Sequence, residues 1–362
     1  MNQRLDWHSF ENSLKTDARF LNGMAANLLT SIFDSIDELK TGEGRPLVVD
    51  AGPGTDFHSF YRARIFQSGH KLEAALSRPD IHLGPPPARL AAAGRMNARG
   101  ISVFYGASNQ KAAVAEVRPP VGAQIAVAKF EIIRKLRLLD LTAFSDVRVT
   151  ESLADFGLAG RLEQAVFLRS LTERVSRPVM RDDDPFEYLA TQAIVDFLAT
   201  DPSPIDGIMF PSLQAPGNSF NIILFHKAAR VVPINVPAGT AISASTGRWT
   251  EEGWVEDYEV FEKVPSFQRV DKKDEREPEL PGFAAVAESA PPEPRDADWR
   301  GDSLCVVPES VEVHRVKCVE FATDRFKVKR RRREERTNVH FGQVANSAIE
   351  AKPDAADSGG AR

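Results

Sequence analysis

The chain has 362 residues, with a formal net charge of −5 and 42% hydrophobic residues. Its two cysteines are too few for a disulfide framework, and its negative charge offers no overall attraction for nucleic acid. No apolar run approaches the roughly 18 residues of a membrane span, and the polar N-terminus is unlike a secretory signal, so we expect a cytoplasmic protein without a membrane partner.

Amphipathic helices are predicted first along the chain. Between Trp7 and Leu39, apolar residues recur mostly at three- and four-residue steps, which is the period of one buried helix face. The glycines in the segment 41–44 end this pattern. We therefore predict a helical N-terminal extension over residues 1–45.

The segment 46–267 is predicted to be one α+β domain. Short strands occur there among helical blocks, in an order that does not fit a regular βαβ repeat. Ser108 is the expected N-cap of a short helix over 111–116, and longer helices are predicted over 152–175 and after the capping residue Asp184. The predicted strands are 47–49, 59–66, 101–105, 124–130, 136–141, 206–210, 221–226 and, as the last strand of this core, 254–264.

The composition changes after Asp271. Charged residues and prolines predict a linker over 268–300. Alternating apolar residues then predict a small β-hairpin within 301–345, and the tail 346–362 is expected to be disordered.

A basic run over residues 327–336 offers an alternative kind of function. It would make the chain a binding module that contacts nucleic acid or a protein partner through this run. Glu334 and Glu335 dilute its charge, and basic runs are usually solvated, so nucleic-acid binding is the weaker interpretation.

Several common catalytic signatures are missing from the sequence. No Gly-x-Gly-x-x-Gly follows a predicted strand, and there is neither a phosphate loop nor a Gly-x-Ser-x-Gly elbow. The seven histidines form no pair at metal-ligand spacing, so we expect no metal site. These absences argue against a dehydrogenase with the usual dinucleotide fingerprint, an NTPase, a metalloenzyme and a serine hydrolase.

Two arginines on one predicted strand, Arg62 and Arg64, are candidates for binding an anion. Strand alternation places both side chains on one face. Paired guanidinium groups hold a pyrophosphate through charge-assisted, bidentate hydrogen bonds. A solvated strand face is the alternative explanation.

Glu116 is the clearest candidate for a catalytic carboxylate. It ends the predicted helix 111–116, where the helix dipole disfavours an anion by roughly 0.3–1 kcal/mol. The turn before it is small and apolar, which favours close packing over full exposure. Such a carboxylate needs a partner, and a simple ion pair with Arg118 is the structural alternative to a catalytic role.

Three further residues are ambiguous when taken alone. Tyr105 ends a predicted strand, where an aromatic ring packs into the core or stacks on a ligand. Ser212 and Asn221 flank a loop between two predicted strands, where serine and asparagine are also routine turn formers.

In chain order, these patterns resemble the RES domain, a family named for its Arg, Glu and Ser positions. The resemblance covers about residues 58–235. It consists of an aromatic–Arg strand, a Gly-Arg-x-Asn turn, a Tyr-x-Ala strand end, an Ala-x-x-Glu-Val helix end and two downstream strands. These stand here as Tyr61-Arg62, Gly94-Arg95-Met96-Asn97, Tyr105-Gly106-Ala107, Ala113-Val114-Ala115-Glu116-Val117, Asp206-Gly207-Ile208-Met209-Phe210-Pro211-Ser212 and Asn221-Ile222-Ile223-Leu224-Phe225.

The resemblance implies an ADP-ribosyltransferase-like core and an enzyme that consumes NAD as a substrate, with no cofactor bound permanently. The catalytic set would be Glu116 on the ribose, Arg62 on the pyrophosphate, Tyr105 near the nicotinamide, and Ser212. The NAD-binding set would add Arg64 as a local alternative to Arg62, together with Arg95, Asn97 and Asn221.

The same resemblance implies a toxin of a bacterial toxin–antitoxin pair, with a protein antitoxin as partner. It leaves the acceptor of the ADP-ribosyl group open. Water or phosphate as acceptor defines a glycohydrolase or a phosphorylase, whereas a protein acceptor defines an ADP-ribosyltransferase.

Overall fold

The structure, a computed structural model, describes residues 7–17, 21–146, 158–177, 188–200, 204–215, 217–265, 300–320 and 323–332. The chain divides into two units, Met1–Val319 and Glu320–Arg362. All helices and strands among the described residues belong to the first unit. The predicted linker and disordered tail lie almost wholly outside the described residues, as does the predicted helix cap at Asp184.

Ten strands and seven α-helices form the described part of the first unit. The strands are β1 (Val48–Ala51), β2 (Ser59–Phe66), β3 (Phe104–Ala107), β4 (Gln124–Ile132), β5 (Leu136–Asp140), β6 (Gly207–Pro211), β7 (Phe220–Leu224), β8 (Ala241–Thr250), β9 (Gly253–Lys263) and β10 (Leu304–Arg315). The helices are α1 (Trp7–Thr16), α2 (Gly23–Phe33), α3 (Gly69–Ser77), α4 (Pro79–His82), α5 (Gln110–Glu116), α6 (Leu158–Ser176) and α7 (Leu189–Thr200).

Eight of these strands form one mixed sheet in the order β1-β5-β6-β7-β3-β2-β4-β10. Strands β5 and β6 are parallel, and the other neighbouring pairs are antiparallel. Some sequential strands are therefore separated in the sheet, as β1 is from β2 and β4 is from β5. The predicted α+β fold class is confirmed.

Strand β4 shows why helices cover both faces of this sheet. Its inner residues form a continuous apolar run, which is typical of a strand buried on both sides. Alternate residues of β4 pack with α3 on one face and with α5 on the other. At the opposite half of the sheet, α1 and α2 share a core with α6 and α7, so the two helices of the predicted N-terminal extension pack into the main fold.

The N-cap of the short helix α5 lies one residue later than predicted, although the helix itself begins at Gln110, one residue before the predicted start. Asn109, not Ser108, is its N-cap, and the Asn109 side chain accepts a hydrogen bond from the Ala112 backbone N–H at 2.9 Å. Ser108 instead accepts a hydrogen bond from the Phe220 backbone N–H at 3.1 Å. Both residue types cap helices well, and the neighbouring β7 strand decides which of the two is used.

Two strand predictions differ from the observed sheet. Strand β9 corresponds to the predicted last core strand, but it pairs with β8 in a separate two-stranded sheet. Strand β10 lies in the predicted C-terminal hairpin, yet it pairs with β4 at the edge of the main sheet. Burial explains this pairing, because Leu304 and Val306 of β10 join the core that a small hairpin would lack.

The basic run contributes no regular structure where it is described. Residues 323–332 form neither helix nor strand, and residues 333–336 lie outside the described residues. Among the described helices, none combines the length and the apolar character that crossing a membrane requires.

Candidate active site

A cavity of about 540 Å³ lies beside the end of α5. The turn 92–97, the middle of β2, most of β3 and the ends of α5 and α6 provide most of its walls. Six of the eight predicted site residues line it: Arg62, Arg95, Asn97, Tyr105, Glu116 and Asn221. A seventh, Ser212, contacts Glu116 directly, whereas Arg64 is not among the lining residues.

The Glu116 carboxylate is held by three side-chain donors. Ser212 Oγ and Asn221 Nδ2 both donate to its Oε1, at 3.0 and 2.6 Å. Gln214 Nε2 donates to its Oε2 at 3.3 Å. Hydrogen bonds to an ionised group are the strong ones, so these donors fix the direction in which the carboxylate faces the cavity.

The sheet order brings these donors together. Strands β6 and β7 are adjacent, and Asn221 lies opposite Phe210 on β6 and opposite Ala107 on β3. The Ser212 backbone N–H donates to Ser219 O at 3.0 Å, which closes the loop between the two strands. Buried Ala112 and Ala113 let α5 approach β3 closely enough to bring Glu116 to the same place.

Glu116 does not form the ion pair with Arg118 that was its structural alternative. Arg118 Nε donates instead to Gln214 Oε1 at 3.0 Å, and the three donors described above are the partners of Glu116 among the described residues. A carboxylate surrounded by neutral donors keeps its negative charge available to a bound molecule.

Arg62 is a cation without a carboxylate partner among the described residues. Its Nη1 donates to the Tyr105 carbonyl at 3.1 Å, and its guanidinium carbon lies 5.2 Å from the centroid of the Phe104 ring. Burial, followed by repulsion from Arg64, lowers the pKa of Arg62 to about 9. A desolvated cation of this kind gains from binding an anion in the cavity.

Arg62 and Arg64 differ in their surroundings. Arg64 Nη2 donates to the Gly84 carbonyl at 2.8 Å, away from the cavity. Arg62 reaches the cavity because β2 pairs with β3 only at Tyr61 and Ala107, which leaves the next part of β3 open to the arginine side chain. Of the two arginines, Arg62 is therefore the one that lines the cavity.

Asn97 fastens the turn that forms one wall of the cavity. Its Nδ2 donates to the carbonyls of Ala92, Ala98 and Ile101 at 2.8, 3.2 and 3.1 Å. Its Oδ1 accepts from the Tyr105 hydroxyl at 3.1 Å. Both ends of the Asn97 amide therefore hold the wall of the cavity in place.

The ring of Tyr105 lines the cavity while its hydroxyl is held by Asn97. Burial raises the pKa of this hydroxyl to about 12. It therefore stays protonated at neutral and mildly alkaline pH and acts as a donor, not as a base. The exposed part of the side chain, 38% of the residue, is available for ring stacking.

Helices α6 and α7 hold the turn 92–97 through hydrogen bonds. Gln192 Nε2 donates to the carbonyls of Gly94 and Asn97 at 2.8 and 3.0 Å. Arg95 Nη1 donates to the Arg174 carbonyl at 2.7 Å, and its guanidinium lies 5.7 Å from the Tyr188 ring centroid. Gln192 was not predicted from the sequence, because its partners lie almost a hundred residues away along the chain.

Asn97→Ala is expected to lower the free energy of unfolding by about 1–3 kcal/mol, because it leaves buried carbonyls and the Tyr105 hydroxyl without hydrogen-bond partners. Urea denaturation of the wild type and the variant measures this loss. Asn218→Ala, an exposed position in the loop after β6, is the matched control and should change stability by less than about 0.5 kcal/mol. Equal stabilities for both variants would contradict the fastening role of Asn97.

No group of three or more His, Cys, Asp or Glu side chains is placed to hold a metal ion in the part of the chain that the structure describes. The candidate site thus consists of one oriented carboxylate, one desolvated guanidinium and one aromatic ring around a single cavity. Carboxylate and guanidinium suit a ligand that carries a cationic centre and an anionic group at some distance from each other.

Comparison with known protein families identifies the family of this chain. A family model, the RES domain, matches residues 59–245, just over half of the chain. The matched segment includes the whole candidate site, from Arg62 to Asn221, and ends within β8. No curated protein matches the chain.

Proposed function

The chain belongs to the RES domain family, and on that premise we propose that it cleaves the bond between the ribose and the nicotinamide of NAD. The observation that carries this proposal is the Glu116 carboxylate, which three neutral donors orient in a cavity that it shares with Arg62. NAD supplies the matching groups, because its nicotinamide is a cationic pyridinium ring and its pyrophosphate is anionic.

The chemistry needs a negative charge at the ribose. As the carbon–nitrogen bond breaks, its electron pair leaves with the nicotinamide, which becomes neutral, and positive charge develops on the sugar ring. A fixed carboxylate stabilises that charge more in the transition state than in the ground state. Because the leaving group is neutral, no strong general acid is required, and Glu116 can act as an anion throughout.

Arg62 would bind the pyrophosphate. Its charge is desolvated, and no carboxylate neutralises it among the described residues, so an arriving phosphate oxygen gains a charge-assisted hydrogen bond. Binding at this remote group would hold the ribose against Glu116, which contributes to the rate through positioning.

Tyr105 would stack on the nicotinamide through its ring. Tyr105→Phe, which keeps the ring, is expected to retain most of the activity, and Tyr105→Ala is expected to lower kcat/KM by about 5- to 150-fold, the equivalent of 1–3 kcal/mol of stacking. Steady-state assays of nicotinamide release compare the two. If both variants lose activity equally, the hydroxyl rather than the ring carries the role of Tyr105.

The reaction products identify the acceptor of the ADP-ribosyl group. Purified protein is incubated with NAD in water, with added phosphate, and with a bacterial lysate, and the products are identified by mass spectrometry. Free ADP-ribose identifies a glycohydrolase, its phosphate ester identifies a phosphorylase, and ADP-ribose attached to protein identifies a transferase. Intact NAD under all three conditions would contradict the proposal.

Family membership also supports a role as the toxin of a toxin–antitoxin pair. Induced expression in a bacterial host should lower cellular NAD and stop growth, and a neighbouring gene product that restores growth would be the protein antitoxin. The inactive Glu116→Gln variant is the control. Growth arrest by that variant as well would show that NAD loss is not the cause.

A further inference from the structure

The carboxamide of Gln214 lies between the carboxylate of Glu116 and the guanidinium of Arg118. Its Nε2 donates to Glu116 Oε2 at 3.3 Å, while its Oε1 accepts from Arg118 Nε at 3.0 Å. All three residues line the cavity. An anion and a cation only two residues apart are thus connected through one neutral amide and do not pair directly with each other.

The backbone of Arg118 has an unusual conformation that supports a specific placement. Its φ of +45° lies in the left-handed region, which a residue other than glycine rarely adopts. Val117 is the C-cap of α5, and the Arg118 backbone N–H donates to Ala115 O at 3.1 Å. Strained residues of this kind cluster at functional sites, and this one directs a cation to the cavity wall directly after the catalytic helix.

A direct pair between these two groups would interfere with the chemistry. Arginine binds carboxylates through two parallel hydrogen bonds, and such a pair would occupy the oxygens of Glu116 and cancel much of its field at the ribose. Cleavage of the nicotinamide–ribose bond depends on that field. A neutral group between the two charges keeps the cation nearby without neutralising the anion.

We propose that Gln214 is a positioning residue that prevents Arg118 from pairing with Glu116. This inference rests on the proposed NAD cleavage and extends it to a residue outside the Arg, Glu and Ser positions. The Gln214 amide N–H donates to the Glu116 carboxylate, and the Gln214 amide oxygen accepts from the Arg118 guanidinium. The negative charge of Glu116 then remains available to the ribose.

The loop around Gln214 is anchored independently of its side chain. Ser212 is tied to Ser219 through the backbone, and Ala215 is buried against the core that contains Ala112 and Ala113 of α5. Gln214 itself is only half-buried. Its replacement by alanine should therefore leave the fold intact and change the local electrostatics.

The test compares four proteins by steady-state nicotinamide release: wild type, Gln214→Ala, Arg118→Gly and the double variant. Glycine is chosen at residue 118 because it accepts a positive φ without strain. Gln214→Ala should lower kcat by roughly 10- to 100-fold with a smaller change in KM, as expected for a misplaced catalytic group. Removal of Arg118 in the same chain should restore most of that loss. Gln110→Ala, at a half-buried glutamine that hydrogen-bonds Glu312 and does not line the cavity, is the matched control.

A crystal structure of Gln214→Ala gives a second measurement that does not depend on activity. The proposal predicts that Arg118 moves to ion-pair distance of Glu116. It is overturned if Arg118 stays in place, if Gln214→Ala retains wild-type kcat, or if the double variant is no faster than Gln214→Ala. If wild type releases no nicotinamide, NAD cleavage fails as the function, and the crystal structure alone decides whether Gln214 separates the two charges.

Discussion

Glu116→Gln is expected to reduce nicotinamide release from NAD by at least about a hundredfold, which corresponds to about 2.7 kcal/mol of transition-state stabilisation. Glutamine has almost the same shape as glutamate, so the change removes the negative charge with little change in volume. It also places an amide N–H among the donors Ser212, Gln214 and Asn221, which already surround the carboxylate. The loss should fall on kcat, because the carboxylate acts on charge that develops in the transition state.

The control for this variant is Glu131→Gln. Glu131 is an exposed residue of β4 that pairs with Lys129, so the same chemical change is made outside the cavity. It should leave the rate unchanged. Thermal unfolding of all three proteins checks that Glu116→Gln is folded. Wild-type activity in a folded Glu116→Gln protein would remove the carboxylate from the mechanism.

Arg62→Met is expected to have the second largest effect, a loss of about 10- to 150-fold in kcat/KM for NAD. The estimate corresponds to the 1.5–3 kcal/mol that a hydrogen bond to a charged group contributes. Methionine keeps the apolar stem against Phe104 and removes the cation. The free protein should lose little stability, because burial already lowers the pKa of Arg62 and its charge is desolvated.

Arg64→Met separates this role from a general effect of positive charge. Arg64 lies on the same strand and donates to the Gly84 carbonyl rather than lining the cavity. Steady-state kinetics of both variants should therefore show a large loss for Arg62→Met and a small one for Arg64→Met. The reverse order would assign the pyrophosphate to Arg64.

Local patterns predicted much of the fold because they depend on neighbouring residues. Strand β2 has the predicted bounds, and β4 and β5 differ from the prediction by one or two residues, since apolar periodicity is a local property. The pairing partner of each strand could not be predicted from such local patterns. Nothing in the sequence of β10 indicates that it pairs with β4, which lies far away along the chain.

The candidate site was also only partly predictable from local patterns. Glu116 is a candidate in the sequence because a carboxylate at a helix end needs a partner. Its actual partners, Ser212 and Asn221, reach it through the sheet order β6-β7-β3, and that order is not encoded in any short motif. Their identification from the sequence depended on the resemblance to the RES domain.

Gln214 and Gln192 were not predicted, for a related physical reason. Both are neutral amides whose roles arise from what lies opposite them: Glu116 and Arg118 for the first, and the carbonyls of the turn 94–97 for the second. A glutamine in a loop or on a helix has no local signal for such a role. The spacing of Gln214 two residues after Ser212 is the only clue that the sequence offers.

The central claim, cleavage of NAD at its nicotinamide bond, is tested most directly by proton NMR of purified full-length protein mixed with NAD in phosphate buffer. We expect the signals of NAD to decline while those of free nicotinamide rise in equal amount, and we expect Glu116→Gln to leave the spectrum almost unchanged over the same time. A wild-type sample in which NAD stays intact would show that the protein does not cleave this bond.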